Sequence, residues 1–208
     1  MDFFAELETI RQRWDVLNHS FYTRWSKGEL TRDDLAVYSG EYRHAVRALA
    51  GASQVAAEAA EPALRAELSE HATEETAHIA LWEEFARAVG GDPEQVPTAE
   101  TRACADAWGD PDREFLPTLV ALYAIESAQP AISETKRAGL LEHYGFEDGP
   151  ATAYFELHAR RDVEHARAER ELIEPRLADA DAQALLDEAE RVLRANWELL
   201  DGVEKRLD

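Results

Sequence analysis

The sequence predicts a single all-α domain, a bundle of seven to eight helices over residues 1–208, from three observations. Ala, Leu, Glu and Arg dominate while Val and Ile are scarce. Apolar residues recur at helical spacing through most of the chain, and no alternating run is bounded by a hairpin turn. At 208 residues, 45% hydrophobic and 31% charged, the chain is long and apolar enough to bury one core rather than stay disordered.

Each element has its own start and stop. Asp2 caps a first helix carrying Phe3, Phe4, Leu7, Ile10, Trp14 and Leu17 on one side. A short segment from Ser20 to Lys27 ends at Gly28. Thr31 with Asp34 forms a capping box, Asp standing for the usual Glu, and opens a long helix through Leu35, Tyr38, Tyr42, Val46 and Leu49. Pro62 starts the next helix, which Gly90-Gly91 stops. A loop from Asp92 to Pro97 leads to a helix near Glu100–Trp108, and another begins after Pro111. Pro130 kinks or divides that one, and its second part ends at Gly145. Gly149-Pro150 precedes a helix to about Ile173, closed by Pro175, and the last helix spans about Asp181 to Leu207. The connections are short and no internal repeat is present.

Charge and cysteine content narrow the function classes. With 43 acidic against 22 basic residues the net charge is −21, which excludes phosphate-backbone recognition and disfavours an anionic membrane surface. A single cysteine, Cys104, rules out an internal disulfide and suits a reducing compartment. The N-terminus lacks the basic and apolar segments of a signal peptide, and no stretch approaches 18 apolar residues. A cytoplasmic protein with no nucleic-acid or membrane partner is expected, with a homodimer left open.

The most informative stretch is His158-Ala-Arg-Arg-Asp162-Val-Glu-His165. On a helix Asp162 lies about 40° to one side of His158 and His165 about 20° to the other, so two imidazoles and a carboxylate share one narrow face. Mixed imidazole and carboxylate ligation suits iron, manganese or zinc. A second cluster is Glu70-His71-Ala-Thr-Glu74-Glu75-Thr-Ala-His78, where either Glu74 or Glu75 can share a metal with His78. Read alone, this is also what an exposed charged helix looks like. Glu126 continues the apolar run Leu119–Ile125, and a carboxylate there is costly to bury unless paired or coordinated. Three helices can thus supply one interior point, as in helical dimetal carboxylate proteins.

Lys136 carries a separate signal. Only three of the 22 basic residues are lysines, and Lys27 and Lys205 sit at a turn and at the C-terminus. Lys136 is ten residues past Glu126, and two readings stand side by side: a lysine needed for a transferable amine, which arginine cannot offer, or a surface lysine placed by chance.

These residues, with His-Ser-Phe21-Tyr22-Thr-Arg-Trp25-Ser-Lys-Gly-Glu-Leu-Thr31, His78-Ile-Ala-Leu-Trp82, Tyr144-Gly-Phe146 and Ala153-Tyr154-Phe155, resemble the heme-oxygenase-like diiron oxidases in order along nearly the whole chain. That superfamily includes thiaminase II and pyrroloquinoline quinone synthase. Within it, the sequence most resembles the subfamily of the chlamydial protein associating with death domains, a self-sacrificing para-aminobenzoate synthase type. The resemblance implies metal ligands Glu74, His78, Glu126, His158, Asp162 and His165. It implies two ions (Fe/Fe or Fe/Mn), with O2 and an external reductant as co-substrates. It also implies that Tyr22 becomes the carbon skeleton of para-aminobenzoate, that Lys136 donates the amino group, and that Tyr38 and Tyr154 relay electrons or shape the pocket. Two departures stand out. The segment between Glu74 and His78 is short, which leaves Glu75 as the alternative ligand, and Ile125 replaces the tyrosine of the chlamydial pattern. The rival readings are a dimetal oxidase of a free small molecule, such as an amino acid or fatty acid, and a non-enzymatic acidic scaffold.

Overall fold

Local capping signals fix several of the helix ends. In the computed structural model, which describes residues 2–207, the helices are α1 Phe3–Arg13, α2 Ser20–Ser26, α3 Arg32–Ala59, α4 Arg65–Val89, α5 Ala99–Trp108, α6 Phe115–Glu126, α7 Gln129–Glu142, α8 Ala153–Ile173 and α9 Ala182–Leu207. Residues 1 and 208, the ends of the domain read from the sequence, lie outside the described residues. Asp2 accepts a hydrogen bond from the Ala5 N–H (3.2 Å) at the start of α1. The Thr31 hydroxyl accepts from the Asp34 N–H (3.1 Å) while Asp34 accepts from the Thr31 N–H (2.8 Å), completing the capping box of α3. Gly90 ends α4 at φ +84°, a left-handed position that glycine takes without strain.

Two boundaries differ from the sequence reading. Helix α4 begins three residues after Pro62, because residues 61–64 close a turn in which the Leu64 N–H donates to the Glu61 carbonyl (3.0 Å). The break between α6 and α7 falls at Ser127-Ala128, with Pro130 in the first turn of α7, where its missing N–H is harmless. Nine α-helices are present among the described residues, or eight when α6 and α7 count as halves of one rod.

The stretch Phe115–Glu142 is, by length and composition, apolar enough to cross a membrane, contrary to the expectation that no such stretch exists. Its apolarity has a use inside the bundle: every residue of α6 from Thr118 to Ala124 except Tyr123 is buried, and Ile125 and Glu126 with them. Helix α6 packs against α3, α8 and α9, α7 packs against α2 and α8, and α4 lies against both α3 and α8. The core therefore places α4, α6 and α8 side by side, and these three carry the chemistry.

A close approach holds α2 on α7. Gly139 leaves room for the Trp25 indole, whose N–H donates to the Lys136 carbonyl (3.1 Å). A Cβ at Gly139 would lie 2.5 Å from Trp25 Nε1 and 2.6 Å from Cδ1. Gly139→Ala is expected to lower stability by about 1–3 kcal/mol through this overlap. Gly51→Ala, in the middle of α3 with nothing within 4 Å of the new Cβ, is expected to raise it by about 0.5–1 kcal/mol. Urea unfolding of the two variants checks the opposite signs.

Candidate metal centre

Four of the seven histidines meet at one place; the other three serve the backbone. His19 accepts from the Phe21 N–H at the start of α2, His44 reaches the Gln95 carbonyl (2.9 Å) and His143 the Ser26 carbonyl (3.1 Å). The remaining four stand in two facing pairs across the antiparallel helices α4 and α8. The His71 and His165 rings are 4.0 Å apart and the His78 and His158 rings 4.6 Å apart, centre to centre.

Carboxylates fill the space between the pairs. His71, Glu75, Glu126 and His165 each offer one ligand atom within 4.8 Å of all the others, and Glu75, His78 and His158 form a second such group. Glu75 belongs to both. Its Oε1 is 3.0 Å from His78 Nδ1, 3.8 Å from His165 Nδ1 and 4.0 Å from His71 Nε2. Glu126, from the end of α6, lies 3.2 Å from His71 Nε2 and 3.4 Å from His165 Nδ1. Asp162 holds Nδ1 of His158 with both oxygens, at 2.9 and 3.0 Å, leaving Nε2 to face the second group. A carboxylate backing an imidazole in this way orients it for a cation.

Glu74, named as a ligand from the sequence, stands elsewhere. It accepts two hydrogen bonds from the Arg161 guanidinium (2.6 and 3.0 Å) and lies 3.2 Å from His165 Nε2, on the side of that ring facing away from the cluster. Helix geometry alone does not separate them, since Glu74 and Glu75 lie about 50° to either side of the His71–His78 face; the packing of α8 across from α4 turns Glu75 inward and leaves Glu74 at the rim beside Arg161. Glu75 is therefore the carboxylate of α4 that the structure brings to the cluster. His71 and Glu169 were not among the candidates. His71-x-x-x-Glu75-x-x-His78 has the same spacing as His158-x-x-x-Asp162-x-x-His165, and that repeat was the signal available in the sequence.

Many of the polar atoms here are buried facing one another without a well-formed hydrogen bond. His71 Nε2, Glu75 Oε1, His78 Nδ1, both oxygens of Glu126, His158 Nε2, His165 Nδ1 and both oxygens of Glu169 make no hydrogen bond. Orphaned buried donors and acceptors each cost about 1–3 kcal/mol, so such a concentration marks a binding site. A mixed imidazole and carboxylate set fits iron-class divalent ions.

The carboxylates favour the protonated imidazoles of His71 and His165. Burial opposes the charged form of His71, but Glu126 and Glu75 outweigh it and raise His71 to about 9. Burial opposes ionised Glu126 as well, and His71 and His165 outweigh that, holding it down at about 2. His158 is pushed down to about 4 by burial, and Asp162 is raised by burial and then by Glu126 and Glu75.

Tyr22 and Lys136 lie in an adjoining chamber of aromatic side chains. The Tyr22 and Tyr38 hydroxyls are 2.7 Å apart. Lys136 Nζ sits 4.4 Å from the centre of the Tyr42 ring, 5.3 Å from Tyr22 and 5.6 Å from Trp82. The side chain is fully buried and, among the described residues, has no carboxylate partner. Burial pushes its amine well below the ordinary lysine range. A run of rings joins chamber to cluster: Tyr38 to Trp82 at 5.9 Å, Trp82 to Tyr154 at 4.9 Å, and Tyr154 to His158 at 4.1 Å. Cys104 is buried in α5, where desolvation raises its thiol and leaves it a poor nucleophile.

The chain is 34% identical over 214 aligned residues to a 4-aminobenzoate synthase of Chlamydia trachomatis, covering 97% of this chain and 92% of that one. It is 30% identical to a 4-aminobenzoate synthase of Nitrosomonas europaea, covering 97% and 90%. A TenA homologue from Pseudomonas syringae superposes with a TM-score of 0.83 at 16% identity over 98% of this chain and 91% of that one, a likeness of fold. The family model for iron-containing redox enzymes matches residues 38–197, and with the heme-oxygenase-like bundle and the buried donor cluster this places the chain in that family.

Proposed function

We propose that this protein is an O2-dependent para-aminobenzoate synthase that consumes its own Tyr22 and takes the amino nitrogen from Lys136. The observation that carries the reading is the placement of a buried lysine amine 5.3 Å from the Tyr22 ring, in a chamber joined to the ligand cluster by aromatic side chains. The names of the relatives support the product.

His71, Glu75, Glu126 and His165 would hold one ion, and Glu75, His78 and His158 the other, with Asp162 orienting His158. Two irons, or iron with manganese, would supply O2-dependent oxidation once reduced by an external donor. The chain's own residues do the rest. Burial raises Tyr22 well above the usual phenol range, so it remains a neutral phenol, and losing an electron requires losing its proton as well. Tyr38, whose hydroxyl is 2.7 Å away, is the hydrogen-bond partner that holds the Tyr22 phenol in place. Burial lowers the Lys136 amine well below the ordinary lysine range and so favours the neutral form, whose free lone pair carbon–nitrogen bond formation needs. Trp82 donates its indole N–H to the Ser39 carbonyl (2.8 Å), which fixes the ring between the chamber and Tyr154.

The test is intact-mass analysis of the iron-loaded protein after reduction and exposure to O2. Loss of the Tyr22 side chain, with at most one product per chain, is expected. A Tyr22→Phe variant that still releases para-aminobenzoate would overturn the proposal. Many turnovers with Tyr22 intact would instead establish a dimetal oxidase of a free small molecule.

A further inference from the structure

Glu169 extends the ligand face of α8 by one turn. It follows His165 by four residues, about 6 Å along the helix axis, and is within about 20° of His158 around it. Its side chain is 1% exposed and neither carboxylate oxygen has a hydrogen-bond partner. It lies outside both groups of converging ligand atoms, so it is not one of the donors already described. It does line a cleft of about 370 Å³ between α4 and α8. His71 and His165 border the same cleft, and each has a ring nitrogen without a partner.

Charge explains why a carboxylate would be kept there. Glu75, Glu126, Asp162 and Glu169 are buried together, and two divalent cations would balance four ionised carboxylates. At the cleft mouth Arg161 is tied to Glu74 and Glu164, so it does not oppose an approaching cation as a free charge.

We infer that Glu169 is a metal-loading residue, a transient ligand that takes a divalent cation from the cleft between α4 and α8 and passes it to His71, His165 and Glu126. The inference rests on reading the buried cluster as a metal centre. A transient ligand lowers the barrier in both directions, so its loss slows uptake and release together and leaves the equilibrium nearly unchanged.

Metal-free protein mixed with Co²⁺ in a stopped-flow instrument and followed by visible absorption tests this. Glu169→Gln is expected to slow uptake at least about tenfold while binding the same number of ions as wild type at equilibrium. An uptake rate within about twofold of wild type overturns the assignment. So does loss of an ion at equilibrium, which would make Glu169 a standing ligand. If Glu169→Gln does not fold, Glu169→Asp, which withdraws the carboxylate by one carbon, is expected to load at least about threefold more slowly, and a wild-type rate in it overturns the assignment. Wild-type protein that binds no Co²⁺ would instead refute the metal centre itself. Two ions bound by wild type, with an unchanged rate in the variant, refute only the role of Glu169.

Discussion

Glu75→Gln is expected to empty the centre, and Glu74→Gln is expected to leave it filled. Glu75 is the one side chain shared by both groups of converging ligand atoms. An amide offers a weaker, neutral donor in its place, and losing the shared carboxylate removes negative charge from both positions at once. Anaerobic reconstitution with Fe²⁺ followed by metal analysis is expected to give about two ions per chain for wild type and well under one for Glu75→Gln. Folding is not what should fail in that variant. Burial raises Asp162 and Glu169, and the charges of Glu126 and then Glu75 add to it, so neutralising Glu75 relieves part of the repulsion. Glu74 pairs with a partly exposed arginine, so Glu74→Gln should change stability by less than about 1 kcal/mol. Full metal content in Glu75→Gln, or its loss in Glu74→Gln, would show that the cluster is assigned wrongly.

That contrast also shows how far sequence reasoning reaches. The helices and their order were legible because capping residues and 3.6-residue periodicity act locally: Asp2, Thr31 with Asp34, and Gly90 each fix a helix end through bonds to near neighbours. His158, Asp162 and His165 were legible for the same reason, since three polar residues on one face of a helix form a pattern within eight positions. The choice between Glu74 and Glu75 was not local. Either can reach His78 on an isolated helix, and only the position of α8 across from α4 decides which one turns inward. His71 was hidden by acidic neighbours, which are common in a chain of charge −21, although its spacing to Glu75 and His78 repeats that of α8. Glu169 continues the His158, Asp162 and His165 face by one turn, a signal present in the spacing, but in a helix with so many acids only packing against the other helices sets it apart as buried.

Lys136→Met should make the protein more stable and catalytically dead. Lys136 is fully buried among Tyr22, Tyr38, Tyr42, Trp82 and Phe155, and desolvation alone drives its amine below the ordinary range. At neutral pH the unfolded chain carries a proton on this lysine that the folded chain must give up, so folding is penalised. Methionine has similar length, needs no proton and suits an aromatic cage. The expected gain at pH 7 is about 1–3 kcal/mol. The pH dependence gives the sign independently. A depressed lysine gains stability as pH rises from its folded value toward its unfolded one, so wild type should close the gap to Lys136→Met between pH 7 and 9. Urea unfolding at the two pH values measures both effects. Para-aminobenzoate formation should fall below detection, because the other two lysines lie outside the chamber: Lys27 is exposed at the end of α2 and Lys205 is on the surface paired with Glu100. A buried lysine kept at a cost to stability is what a reaction needing a neutral amine requires. If Lys136→Met is less stable than wild type, the amine is structural, and if it still forms product, the nitrogen comes from elsewhere.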